Sequence, residues 1–316
     1  MLKSIVKRIE LILPVIGIIV LFYLLKSIGI EDIANAMSEV DPSMFAISAL
    51  MVFIRKPIGA YKWYLLTRFQ DFDIPYSKIL KFYFMGYFYA VVTPGGVGNY
   101  IRAKFLYDEE GRIGKAVTNV AIDAFIDMAC LYFLGLIGTL ILFPHYFTIM
   151  LILLFLFTIT SASLLIILNK KASHAVARTL LKFAIPYRYR DRVKVEKLFE
   201  ELPPKRALPP VLALSMLTWI LYLLQICPIV AGLSIKMPFL DAFFLWAISC
   251  SISFLPITIS GVGIREWLVM ILANKYNVTN VDSLALSLLG YIAISIFPAL
   301  IGAILSMHHH LKRSLP

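Results

Sequence analysis

Two arginines stand where arginines are costly. Arg102 follows the glycine-rich run Thr93-Pro-Gly-Gly-Val-Gly98, and Arg265 sits in Thr258-Ile-Ser-Gly-Val-Gly-Ile-Arg-Glu266. Both runs interrupt apolar sequence. Gly95, Gly96 and Gly98 before the first arginine, and Gly261 and Gly263 before the second, expose backbone N–H groups. Each break also leads into a short helical pattern, and amides at a helix N-terminus favour an anion. A guanidinium beside them suits a phosphate through its planar fork. An arginine at mid-bilayer costs about 2.5–3.5 kcal/mol on insertion scales, so an idle role is disfavoured. Thr93 and Thr258 take matching places ahead of the glycines, and Glu266 adjoins Arg265. The alternative is that each arginine snorkels to an interface or pairs internally, Arg265 with Glu266 or an Asp.

Other charged residues fall inside apolar surroundings. Asp123 and Asp127 stand four apart, on one helix face. They could carry protons, pair with Arg102 or Arg55, or face water from the first turns of a span. Arg55 and Lys56 either snorkel or line an inner cavity. Trp63, Tyr64 and the aromatics of Phe82–Tyr89 read as an interfacial belt. His145 and His174 lack partners at useful spacing, and no Ser-His-Asp set or metal-ligand cluster emerges, so neither an enzyme nor a cofactor is expected. Cys130, Cys227 and Cys250 have no paired spacing and read as packing residues.

Elements that could position these groups follow from composition. Of 316 residues, 60% are hydrophobic and 16% charged, too apolar for a soluble domain. Apolar runs of bilayer length make the chain an all-α polytopic membrane protein. The net charge of +11 gathers beside apolar runs, the pattern of anchoring to an anionic lipid surface, and nucleic acid is not an expected partner. Full spans are expected over 9–30, 43–66, 116–143, 147–169, 207–235 and 283–307. The segment Glu31–Asp41 has helical spacing and is expected on the membrane surface.

Charge then constrains topology. Residues 170–206 carry 11 Lys or Arg against four acids. If every apolar run crossed, this loop would lie opposite the basic N-terminus, against the positive-inside bias. Segments 79–107 and 242–276 therefore read as re-entrant hairpins, leaving six full spans. Both termini are then cytoplasmic, in the plasma membrane. Sliding the sequence by 165 places Gly96-Val-Gly98 on Gly261-Val-Gly263 and repeats the order span, broken hairpin, span. The units read as inverted repeats about a pseudo-twofold axis in the membrane plane. The organisation is a span and surface helix at 1–41, repeat A at 42–143, a connecting span and basic loop at 144–206, repeat B at 207–307, and a basic tail at 308–316.

The paired motif, with Arg55 and Trp63 upstream, resembles the flippase-like membrane domain of lysylphosphatidylglycerol synthase/flippase over about 10–307. That resemblance implies lipid translocation through inverted repeats with re-entrant helices, and stand-alone relatives are implicated in moving polyprenyl- or dolichyl-phosphate sugars. The chain ends at Pro316 without room for an aminoacyl-transfer domain, so lipid lysylation by it is not expected. The expected substrate is a lipid with a phosphate headgroup, first a lipid-linked phosphosugar and second a phospholipid. Arg102, Arg265 and the glycine amides would hold the headgroup. A glycosyltransferase or a second copy of the chain is a conceivable partner, and a non-transporting anchor for such an enzyme is the alternative function.

Overall fold

A computed structural model describes residues 26, 29–93, 96–169, 171–173, 202–255 and 261–314. The expected first span, most of the basic loop, Gly95 and Thr258 lie outside the described residues. Those described are helical or irregular, with no strand among them. After α1 (Ile30–Ser38) come α2 (Pro42–Leu50), α3 (Val52–Phe69), α4 (Tyr76–Val91), α5 (Ile101–Glu110), α6 (Ile113–Leu142) and α7 (Phe147–Leu168). The second half holds α8 (Leu208–Leu224), α9 (Ile226–Gly232), α10 (Phe239–Ser253), α11 (Ile264–Ala273), α12 (Asn280–Tyr291) and α13 (Phe297–Ser314).

Five helical stretches are long and apolar enough to cross a membrane: Pro42–Phe69, Ile113–Leu142, Phe147–Leu168, Lys205–Gly232 and Asn280–His309. They coincide with the five expected spans that fall within the described residues. At 1.5 Å per residue, the 30 residues of α6 reach about 45 Å, more than a hydrocarbon core requires. On α7, Leu151, Leu154, Phe155, Ile159 and Leu165 are exposed, the face such a span turns to lipid. Helix α1 is amphipathic and buries Ile33 against Leu284 of α12.

Local chemistry sets the element ends. Asp41 caps α2 by accepting from the Ser43 N–H at 2.8 Å, with Pro42 in the first turn, where a missing N–H does no harm. The two hydrogen bonds from Ser43 hold the exposed Asp41 carboxyl below its usual pKa. The first described span is interrupted at Met51, and Pro57 lies inside α3. The hydroxyl of Tyr76 donates to the Pro57 carbonyl at 2.9 Å. In the second half the matching interruption is at Gln225, between α8 and α9.

These interrupted spans cross and pair in opposite senses, α2 with α9 and α3 with α8. Reciprocal hydrogen bonds pin the crossing. The Ser48 hydroxyl donates to the Gln225 carbonyl at 2.6 Å, and the Gln225 amide donates to the Ser48 carbonyl at 2.7 Å. Each broken segment then packs against the last span of the other half, α4 along α13 and α10 along α6. Glycine permits the close approach. A Cβ on Gly302 of α13 would sit 2.1 Å from the Phe84 carbonyl oxygen, and one on Gly138 of α6 would sit 2.9 Å from Phe244.

Candidate functional site

Between the two broken segments lies a cavity of about 190 Å³, lined by Arg102 and Arg265 together with Arg55 and Lys56. Helices α3, α4, α6, α8 and α10 contribute walls, and Gly96, Asn99, Ser253 and Phe254 frame it beside the breaks. Residues from the two halves of the chain thus face one space.

The first break is a tight turn. Gly96 has a left-handed backbone, φ 68°, and Thr93 Oγ1 accepts from the Gly98 N–H at 2.7 Å while donating to the Tyr89 carbonyl at 2.8 Å. Any Cβ on Gly98 would lie 2.1 Å from that same Tyr89 oxygen, so the site admits only glycine. A 3-10 turn over Val97–Tyr100 then feeds α5, whose first turn carries Arg102. Its guanidinium is 1% exposed, donates through Nη1 to Asp123 Oδ2 at 2.9 Å and lies 4.7 Å from the Trp63 ring. Asp123 also takes Lys62 Nζ at 2.8 Å, and the same ammonium reaches Asp127 at 2.6 Å. Ser215 donates to Asp127 as well. Lys62 on α3, Arg102 on α5 and two carboxylates on α6 therefore form one ion network, buried except for Asp127, which faces the cavity. Burial makes such a network expensive to break, because removing one partner strands a charge away from water.

The second break uses a shorter circuit. Gly261 repeats the left-handed backbone of Gly96, with φ 76°, and a Cβ there would meet Ser253 Cβ at 2.3 Å. Gly263, φ 89°, precedes α11, and its N–H donates to Glu266 Oε2, a carboxylate capping its own helix. Glu266 Oε1 accepts from Arg265 Nη2 and from the Ser287 hydroxyl. The Arg265 guanidinium lies 4.4 Å from the Tyr291 ring.

Arg55 and Lys56 differ from both arginines. Arg55, 4% exposed, donates through Nη2 to the Ile294 carbonyl at 3.1 Å. That carbonyl sits in a π turn, Ile292–Ile296, and the residue four on is Pro298, which has no N–H to give it. The Arg55 Nε has no acceptor, and its guanidinium lies 4.9 Å from the Tyr222 ring. Lys56, 2% exposed, places its ammonium over the Tyr87 ring. Neither is in an ion pair among the described residues.

The sequence-derived residues thus separate by role. Arg55, Arg102, Arg265, Asp127 and Gly96 line the cavity. Asp123 and Glu266 stand behind the arginines as their carboxylates. Thr93, Gly98, Gly261 and Gly263 build the turns, and the amides of Gly98 and Gly263 already donate within the chain. Asp123 is fully buried, so it does not face water, and it pairs with Arg102 rather than Arg55. Trp63 is not part of an interfacial belt: it is fully buried, and its Nε1–H donates to Asn119 Oδ1 at 2.7 Å. Tyr83 and Tyr87 likewise face the cavity. Lys62 was the residue missed, although Arg55, Gly59 and Lys62 recur at the spacing of one helix face. The three cysteines are buried and unpaired in disulfides.

Fold and site together define a multi-pass helical membrane protein with a buried, charged cavity between two broken helices. The chain belongs to the family of the lysylphosphatidylglycerol synthase transmembrane region, whose model matches residues 11–302. It is similar to a UPF0104 membrane protein of Methanocaldococcus jannaschii, 23% identical over 313 residues, covering 93% of this chain and 93% of the relative. A UPF0104 membrane protein of Pyrococcus horikoshii is 22% identical over 320 residues, covering 93% of this chain and 95% of the relative.

Proposed function

We propose that this protein is a lipid flippase, moving an anionic, phosphate-bearing lipid between leaflets without altering it chemically. The observation that carries the reading is the shared cavity: Arg102 from one break and Arg265 from the other line the same space. Irregular backbone inside a membrane is tolerated where it is covered by protein or lines a water-filled path, and transporters build central sites from such broken helices. Membership in a family described by a lipid synthase's membrane region supports a lipid as the cargo. In this reading the headgroup occupies the cavity while the tail stays among the exposed apolar faces. A polyprenyl- or dolichyl-phosphate-linked sugar is the first candidate and a phospholipid such as phosphatidylglycerol the second.

The two halves act as inverted repeats, and the broken segments as re-entrant hairpins opening in turn to each side. The crossed pairing of α2 with α9 and α3 with α8, and of α4 with α13 and α10 with α6, supports that exchange symmetry. Repeat A at 42–143 and repeat B at 207–307 flank the connecting segment 144–206. Both termini lie in the cytoplasm and the protein sits in the plasma membrane, where basic segments meet anionic lipid.

Proteoliposomes carrying a labelled lipid phosphate test the reading. Wild type should equilibrate the label between leaflets, and Arg102→Ala and Arg265→Ala should each slow it by about tenfold or more, the scale of one charge-assisted contact. Recovery of a chemically altered lipid would point to an enzyme instead. Cysteines placed over 99–115 should react from the cytoplasmic side, and labelling from outside would remove the first re-entrant hairpin.

A further inference from the structure

We infer that the cavity is built for a dianionic phosphate, a monoester or a diphosphate of a lipid alcohol, received by the adjacent residues Arg55 and Lys56. The inference rests on the lipid-transport reading but departs from both cargoes named there, since a sugar linked through one lipid phosphate and phosphatidylglycerol are phosphodiesters with a single charge. Arg102 and Arg265 already hold carboxylates of the chain, Asp123 and Glu266. Arg55 and Lys56 hold none among the described residues, though both are buried and line the cavity.

The charge count decides between cargoes. Among the described residues, five basic side chains stand around the cavity, Arg55, Lys56, Lys62, Arg102 and Arg265, against three carboxylates, Asp123, Asp127 and Glu266. With every one of them ionised, five minus three leaves two positive charges. A buried charge without a partner is costly, so the occupant that best relieves the cavity brings two negative charges. A phosphodiester brings one and leaves a cation unbalanced. A phosphate monoester loses its second proton near pH 6 and brings two at neutral pH. Shape agrees with charge. Arg55 and Lys56 are consecutive on α3, so they leave the helix about 100° apart, yet both reach this cavity and approach an occupant from two sides. The free Nε of Arg55 and the ammonium of Lys56 supply donors for terminal oxygens, of which a monoester offers three and a diester two.

A matched pair of probes tests this on the purified full-length protein in neutral detergent: dodecyl phosphate and dodecyl methyl phosphate, which share a tail and differ in one charge. At pH 8 the monoester should bind about tenfold more tightly, on the scale of one charge-assisted contact. That ratio should shrink as the pH falls through about 6 and the monoester takes up its second proton. The titratable groups around the pair are Tyr83 and Tyr87 on α4, Tyr100 in the turn before α5, Asp127 on α6, Tyr222 on α8, Cys250 on α10 and Tyr291 on α12, with Arg102 and Arg265 beyond them. A change of charge in any of them acts on both probes and more strongly on the dianion, so phosphorus NMR of bound dodecyl phosphate over the same pH range assigns the proton to the ligand. Lys56→Gln should bring the ratio near one while the diester still binds. Equal binding of the two probes at pH 8, or a ratio indifferent to pH, would overturn the dianion and leave lipid transport standing. Loss of both probes in wild type would overturn the transport reading as well. Inorganic phosphate binding as tightly as dodecyl phosphate would keep the dianion site but overturn the lipid as its occupant.

Discussion

At the first break Arg102 reaches across to Asp123, a carboxylate it shares with Lys62 of α3; at the second, Arg265 takes the carboxylate of its own neighbour, Glu266. The same pairing of glycine turn and arginine is therefore anchored in two ways. Arg102 is tied to the scaffold of α3 and α6. Arg265 is held within one turn of α11, with Ser287 of α12 as its outside support. Movement of the first break must open a three-helix ion network, whereas the second carries its ion pair along. Approximate repetition of a motif does not carry over its electrostatics.

Neutralising each carboxylate tests that contrast most strongly. Asp123→Asn leaves Lys62 and Arg102 short of one buried charge and should cost about 3–5 kcal/mol, read as thermal unfolding of the purified protein. Glu266→Gln retains a capping oxygen for Gly263 and removes the charge from one arginine, so about 1.5–3 kcal/mol is expected. Equal losses would erase the distinction. The glycines give a second, smaller comparison. Gly96 and Gly261 share the left-handed backbone, but a Cβ on Gly96 meets nothing within 4 Å and one on Gly261 meets Ser253 Cβ at 2.3 Å. Gly96→Ala should cost about 1 kcal/mol from backbone strain alone. Gly261→Ala adds overpacking of about 1–3 kcal/mol. If the two variants melt together, the second turn is looser than its contacts imply.

Much of this contrast was legible in the residues, and the rest depended on tertiary packing. The glycine breaks, their arginines and the spans announce themselves, because proline, glycine and charge are conspicuous in apolar sequence. Internal pairing of Arg265 with Glu266 was one of two open readings, and their adjacency made it so. Lys62 gave no comparable signal: its partners lie 61 and 65 residues away, on a helix that only folding brings to it. Trp63 shows the same limit from the other side. Its amphipathic ring suits a membrane interface, but the Asn119 side chain satisfies its N–H in the interior and the face lies against Arg102. The helices that open the segments expected at 79–107 and 242–276 begin a few residues upstream, at Tyr76 and Phe239.

The bonds between Ser48 and Gln225 have a mechanical consequence. They join the two halves where the helix of each opening span is interrupted, at Met51 and at Gln225. Two short bonds clustered at one point resist separation strongly and torsion weakly. With α2 packed on α9 to one side and α3 on α8 to the other, the pair acts as a register pin, holding the two interruptions level with each other.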